Sequence, residues 1–105
     1  MGRRLVQRRA AEEDIAEQVA YLAGERPAVV HRYAIAIEDA FERLRTMPDV
    51  GVLRSYGSRR LHAVRVWPVP GFRLFLIFYR VTPKTVDIIR VLHSARDIPR
   101  TLNRS

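Results

Sequence analysis

The chain has 105 residues, of which 48% are hydrophobic and 29% charged, with no cysteine and a formal net charge of +8. This length suits one domain with a single modest core, and the absence of cysteine excludes a disulfide framework and a thiolate metal site. No apolar run approaches the roughly 20 residues that cross a bilayer, and the N-terminus lacks the apolar segment of a secretory signal. We therefore expect one cytoplasmic domain over residues 1–105, without a membrane partner.

Charge is unevenly distributed along the chain. After residue 50 the only acidic residues are Asp87 and Asp97, so the C-terminal half holds most of the excess positive charge. Such a field favours an acidic partner, which would be nucleic acid, an acidic protein segment or both. The alternative is that basicity only increases solubility.

The first elements are predicted as a short strand and a helix. Leu5–Arg9 is predicted as an edge strand, because charged residues at an edge block unwanted strand pairing. Ala10–Gly24 is predicted as a helix, since Ile15, Val19 and Leu22 recur at helical spacing.

A second helix is predicted to begin at Pro27 and to run to about Met47, before Pro48. Its short joint to the first helix predicts an antiparallel αα-hairpin. The following segment, Asp49–Arg60, is predicted as a basic loop because glycine and serine interrupt it.

Three strands and a tail are predicted for the rest of the chain. The strands are Leu61–Val66, Phe72–Val81 and Val86–His93, and their short joints require antiparallel pairing. Residues 98–105 are predicted to be a loosely ordered polar tail. The order β-α-α-β-β-β predicts an α+β fold in which an antiparallel sheet packs on the αα-hairpin, with the first strand able to pair in parallel with a later one.

Arginines occur on each of these strands, at Arg65, Arg73, Arg80 and Arg90. Arginines that converge on one sheet face form an anion site. The alternative is that each one extends to the edge of the sheet and pairs with a helix carboxylate or with Asp87 or Asp97.

His93 ends the last strand and is a candidate general acid or base, because imidazole titrates near neutral pH. The alternative is a packed residue that bonds to the backbone. Arg96 and Asp97 are expected to form local hydrogen bonds after the strand. No histidine spacing resembles a metal site, so we expect no metal and no cofactor.

Several stretches together resemble a known family. They are AAEEDIAEQVAYL in the first helix, MPDVG after the second helix, LHAVRV at 61–66, GFRLFLIFYRV at 71–81 and IIRVLHSARD at 88–97. In this order the chain resembles the ParE branch of the RelE/ParE toxin superfamily of bacterial type II toxin–antitoxin systems.

The resemblance implies the compact α+β toxin fold and a ParD-like antitoxin that neutralises the toxin in a hetero-oligomer. It also implies inhibition of DNA gyrase, growth inhibition and plasmid stabilisation. Arg65, Arg80 and Arg96 are then the candidates for binding the target or an anion.

The alternative is a ribosome-dependent mRNA endoribonuclease of the RelE/YoeB type. A YoeB-like subgroup uses an arginine on the long strand and a histidine near the C-terminus, which match Arg73 and His93. Together with Arg90 they are the catalytic candidates. The subgroup's catalytic glutamate and the RelE lysine cluster have no counterpart here, so the departures favour a non-enzymatic ParE-like toxin.

The antitoxin is expected to bind the groove beside the two helices and the edge strand. An amphipathic helix in a groove and a strand added at an edge are common recognition modes. The predicted contact residues are apolar residues of the first strand and first helix: Leu5, Val6, Ile15, Val19 and Leu22.

Overall fold

The computed structural model describes residues 2–56 and 63–104. The elements in chain order are β1 (Arg4–Gln7), α1 (Arg9–Glu25), α2 (Pro27–Thr46), a 3-10 turn (Pro48–Val50), β2 (Val52–Arg54), β3 (Val64–Val69), β4 (Phe72–Val81), β5 (Thr85–His93) and α3 (Ile98–Asn103).

The strands form one five-stranded sheet in the order β1-β5-β4-β3-β2. The β2–β3, β3–β4 and β4–β5 pairs are antiparallel, because their connections are short. β1 pairs in parallel with β5, since the chain crosses the helix layer between them. The predicted α+β architecture is thus confirmed.

Strand β2 corrects the prediction of a loop over Asp49–Arg60. Three residues are too few to show a strand period in the sequence, and all three are exposed. The predicted strand Leu61–Val66 is observed as Val64–Val69, while residues 61 and 62 lie outside the described part of the chain. Pro68 continues this strand because the register shifts beside it.

Helices α1 and α2 cover one face of the sheet and form the main core. Tyr33, Ile37 and Leu44 of α2 are buried against Ile77 and Tyr79 of β4. The apolar stripe predicted for α1 packs into the same core. None of the described helices is both long enough and apolar enough to cross a bilayer.

Helix α3 packs on the opposite face of the sheet. Leu102 is fully buried in a second cluster with Val64, Phe78, Ile89 and Leu92. The prediction of a loosely ordered tail is therefore wrong for residues 98–103. The helix there is short and buries one side chain, Leu102, so its sequence shows no helical period.

The start of α3 is fixed by the residues that precede and open it. The Asp97 side chain accepts a hydrogen bond from the Arg100 amide, which caps the helix, and Pro99 lies in its first turn. A cap at this point explains why the chain turns back over the sheet after β5.

A β-bulge in β5 changes which side chains share a face. Phe78 pairs with Arg90 and Tyr79 pairs with Ile88, so Ile89 is the extra residue. Strict alternation would place Ile89 and Val91 together, but Ile89 belongs to the α3-side cluster and Val91 to the helix-side core. Arg90 pairs with Phe78 of the α3-side cluster, and it meets α1 at the open edge of β5, as described below.

Candidate functional site

The edge of β5 is left without a neighbouring strand after Ile88. β1 ends at Gln7, which pairs with Ile88, and the Arg8 amide donates to the Ile88 carbonyl at 3.0 Å. β5 continues to His93. Its next edge-facing backbone groups belong to Val91 and need other partners, because buried amides and carbonyls are almost always bonded.

Side chains of α1 supply those partners. Asp14 Oδ2 accepts from the Val91 amide at 3.0 Å, and Gln18 Nε2 donates to the Val91 carbonyl at 2.8 Å. The two side chains lie one helical turn apart, so they reach both groups of one residue. Helix α1 thus takes the place of a strand at this edge.

Asp14 also forms a bidentate ion pair with Arg90. Arg90 Nε and Nη2 donate to the two carboxylate oxygens, each at 2.7 Å, and the side chains are only 14% and 7% exposed. The hydrogen bond that Arg90 donates to Asp14 is the main reason that the pKa of Arg90 is raised. Both charges are compensated inside the fold, as buried charges require.

Gln18 is held in turn by an aromatic cluster. The Tyr33 hydroxyl donates to Gln18 Oε1, and the Tyr33 ring meets Phe72 and Phe75 edge-on at 5.0 and 5.4 Å. Burial, assisted by the negative charge of Asp14, raises the pKa of Tyr33. This network connects α1, α2, β4 and β5 beneath a cavity.

The cavity, which we call the α1 groove, has a volume of about 670 Å³ between α1, the start of α2 and strands β4 and β5. Apolar and aromatic side chains, including Leu22 and Phe75, form part of its wall. Three carboxylates and three guanidinium groups line it: Asp14, Glu17, Glu25, Arg26, Arg32 and Arg96. Because Asp14 is already neutralised by Arg90, the lining carries a small positive excess. A groove with an apolar wall and charges of both signs suits a segment of protein.

His93 lies in the α1 groove. Its ring packs edge-on against Phe75 at 5.2 Å, and its Nδ1 accepts from the Ala95 amide at 3.0 Å. A neutral imidazole with Nδ1 as acceptor carries its proton on Nε2. Within residues 2–56 and 63–104, no carboxylate is hydrogen-bonded to this imidazole, so no acid–base relay is formed there.

Comparison with known proteins identifies the family. The model of the family described as "ParE toxin of type II toxin-antitoxin system, parDE" matches residues 5–98. The chain belongs to the ParE toxin family. A solved structure described as "Chromosomal ParDE TA system from P. aeruginosa" has the same fold, with a TM-score of 0.70 and 18% sequence identity over 87% of this chain and 95% of that one. No curated protein matches the toxin significantly in sequence.

The strand arginines of the toxin do not converge on one face. Arg65 pairs with Tyr79 of the helix-side core, whereas Arg80 pairs with Asp87 and lies between two residues of that core, which places Arg80 on the opposite face. Arg90 meets Asp14 at the open edge of β5. Arg65 donates to the carbonyls of Asp49 and Gly51 and so holds the segment after α2. Arg90 thus pairs with a helix carboxylate, as the alternative predicted, whereas Arg65, within the described part of the chain, pairs with none of the carboxylates named there.

Among the catalytic candidates, only His93 lines the α1 groove directly. Arg90 is paired with Asp14 of the groove wall without lining the groove itself, and exposed Arg73 is not part of the wall. Arg96, predicted to bind the target, does line the groove beside His93.

The residues of α1 that were predicted to contact the antitoxin are mostly packed into the core of the toxin itself. Ile15 and Val19 pack against the main core and Leu22 is only 8% exposed, although Leu22 reaches the groove wall. Leu5 packs against the same core, and Val6 is half-buried. A helical period identifies the buried stripe of a helix, so it selects core residues first.

The accessible apolar residues near the groove lie off that stripe. Tyr21 lines the groove and is 65% exposed, while Ile35, at 44%, lines a second cavity of about 360 Å³. The second cavity shares Arg32, Gly71 and Phe72 with the groove, so the two are continuous. Nothing in the sequence period marks Tyr21 or Ile35, because single exposed apolar residues are common on protein surfaces.

Proposed function

We propose that the toxin inhibits DNA gyrase by binding, without catalysing a reaction itself, and that a cognate ParD-like antitoxin neutralises it. Membership of the ParE toxin family supports this proposal. The observation that carries the non-enzymatic mechanism is the state of His93, which has an aromatic neighbour and a backbone bond but no acid–base partner among the described residues.

Cleavage of RNA would need more than the groove offers. One group must activate the 2′-hydroxyl and another must protonate the leaving oxygen. His93 supplies one such group, while Arg90 is engaged by Asp14.

Gyrase inhibition and mRNA cleavage are distinguished by assaying the same purified toxin for both activities. We expect purified toxin to block supercoiling of relaxed plasmid by gyrase, and the antitoxin to restore it. mRNA on arrested ribosomes should stay intact in primer extension. Full gyrase activity combined with cut mRNA would overturn the proposal in favour of the RelE/YoeB-type endoribonuclease.

Substitution of His93 gives a second test within the toxin. His93→Ala should retain gyrase inhibition, as should His31→Ala, a matched control at an exposed position of α2. If His93→Ala folds normally but alone loses toxicity together with mRNA cleavage, an enzymatic role is indicated instead.

We place the antitoxin in the α1 groove and its continuation towards Ile35, with the β1 edge as a second contact surface. A continuous groove with exposed Tyr21 and Ile35 fits the apolar face of an amphipathic helix. Tyr21→Asp and Ile35→Asp are expected to weaken antitoxin binding at least tenfold in a titration. Met47→Asp, also at an exposed apolar position but outside the groove, is the control and should bind normally.

Salt should weaken the complex as well, because an acidic antitoxin segment would be attracted to a chain of net charge +8. An affinity that does not change between low and high salt would show that apolar contacts dominate.

A further inference from the structure

The two faces of the toxin differ in charge. Most of its carboxylates belong to α1 and α2, on one side of the sheet. The other side, against which α3 packs, is called the α3 face here. Its carboxylates are Asp87, which accepts from the Thr85 hydroxyl at 2.8 Å, and Asp97, which caps α3.

Strand pairing places basic residues at both edges of the α3 face. Arg54 of β2 pairs with Val64, a member of the α3-side cluster. At the other edge, Arg4 of β1 pairs with Thr85 and, by alternation, lies opposite core-facing Leu5. Four strand spacings separate β2 from β1, which makes the strip about 19 Å wide.

Further cations surround this strip. Lys84 follows β4 in the turn beside Arg4, and the Arg4 amide donates to the Lys84 carbonyl at 2.9 Å. Arg100 and Arg104 lie on α3 or at its end. All five of these basic side chains are exposed, and none forms an ion pair with another of the described residues.

We propose that the α3 face binds the phosphate backbone of duplex DNA, independently of sequence. Its strip of about 19 Å corresponds to roughly six base pairs at 3.4 Å each. Exposed arginines held on a rigid sheet make phosphate contacts that position a protein on a duplex without reading bases. This inference goes beyond gyrase inhibition, since a toxin without effect on gyrase would still bind DNA.

A duplex fits this face better than an acidic peptide does. Both cavities described above lie on the helix side of the sheet, at the α1 groove and beside Ile35. A peptide gains specificity from a groove or pocket, whereas backbone binding of a duplex needs distributed positive charge.

The test uses the full chain and a fluorescein-labelled duplex of mixed sequence, with anisotropy measured between 50 and 200 mM NaCl. Arg4→Glu/Arg54→Glu is compared with Arg9→Glu/Arg43→Glu, which makes the same charge change on α1 and α2. We expect the first variant to bind at least tenfold more weakly. A plot of the logarithm of its binding constant against the logarithm of the salt concentration should also be less steep. The slope should change by about 0.9 for each phosphate that the variant no longer neutralises.

The control variant should keep the slope of the unaltered toxin. Equal losses in both variants would show a general charge effect and overturn the proposal, as would an unchanged slope in the first variant. Two further probes, single-stranded RNA and polyglutamate, are titrated in parallel. If either one binds through Arg4 and Arg54 while the duplex does not, the α3 face serves that class of partner and the DNA proposal fails.

Discussion

Asp14 is the residue on which the most distant parts of the chain depend. Its carboxylate accepts from the Arg90 guanidinium and from the Val91 amide, which lie more than 70 positions later in the sequence. One side chain therefore neutralises a buried charge and also covers the open edge of β5. Such a residue is costly to replace, because its partners stay buried after it is removed.

We predict that Asp14→Asn lowers the free energy of unfolding by about 3–5 kcal/mol, since Arg90 loses its counter-charge while remaining buried. Urea denaturation followed by circular dichroism measures this. Glu42→Gln removes the partner of Arg45 in a surface pair and is the control, with no measurable change expected. A loss below 1 kcal/mol for Asp14→Asn would mean that water replaces the carboxylate.

Gly51 is a second residue that is costly to replace, because the Tyr79 side chain packs closely against its backbone. Its amide donates to the Tyr79 hydroxyl at 2.9 Å, and that hydroxyl donates to the Pro48 carbonyl at 2.6 Å. A β-carbon added at Gly51 would overlap the Tyr79 hydroxyl and ring. Glycine is needed here for a close approach of side chain to backbone.

Gly51→Ala is therefore expected to destabilise the toxin by about 1–3 kcal/mol, the usual cost of overpacking. Gly24→Ala is the control within the same chain. A β-carbon at Gly24 meets no atom within 4 Å, and alanine stabilises a helix relative to glycine by up to about 1 kcal/mol. Thermal unfolding of both variants should give shifts of opposite sign, and shifts of equal sign would refute the contact argument.

At the scale of elements, α3 converts a short polar segment into part of the fold. A helix of six residues is unstable by itself, so its order must come from packing and capping. Leu102 supplies the packing and Asp97 the cap. Together they cover the apolar part of the sheet face that α1 and α2 leave open.

Leu102→Ala is predicted to cost about 2–5 kcal/mol, as expected for a fully buried leucine. Asp97→Ala should cost about 1 kcal/mol through loss of the cap. Asn103→Ala, on the exposed side of α3, should change stability by no more than about 0.5 kcal/mol. If Leu102→Ala left the free energy of unfolding unchanged and the amides of residues 98–103 exchanged rapidly, the prediction of a loosely ordered tail would be supported instead.

At the scale of the whole molecule, buried and half-buried tyrosines couple stability to alkaline pH. Burial is the largest cause of the raised pKa of Tyr33, Tyr56 and Tyr79. Above pH 10 the unfolded chain loses phenolic protons that the folded chain retains, so the unfolded state binds fewer protons. Stability is then fully present below about pH 10 and decreases as pH rises further.

We expect the urea midpoint of the toxin to fall between pH 9.5 and 11, measured at constant ionic strength. Tyr33→Phe should show a smaller fall, because it removes one of the titrating groups, although its midpoint at neutral pH will also drop when Gln18 loses its partner. Tyr21→Phe, at an exposed position, should follow the unaltered toxin. An identical pH dependence for all three proteins would exclude Tyr33 as a contributor.

The sequence by itself determined the elements with clear periods and short joints. The stripe of Ile15, Val19 and Leu22 predicted α1, and the brief turn between β4 and β5 required an antiparallel pair. The motifs at 71–81 and 88–97 were sufficient to indicate the ParE branch, which the family match over residues 5–98 confirmed. These features are local, so each is encoded within a few neighbouring residues.

Only the tertiary structure decided where the polar groups go. Arg90, which follows the bulge at Ile89, met Asp14 across 76 positions of sequence. Strand β2 and helix α3 are too short to carry a periodic signal and exist because the sheet supplies their partners. Pairings across such separations depend on chain topology and on the compensation of buried charge, which no local pattern records.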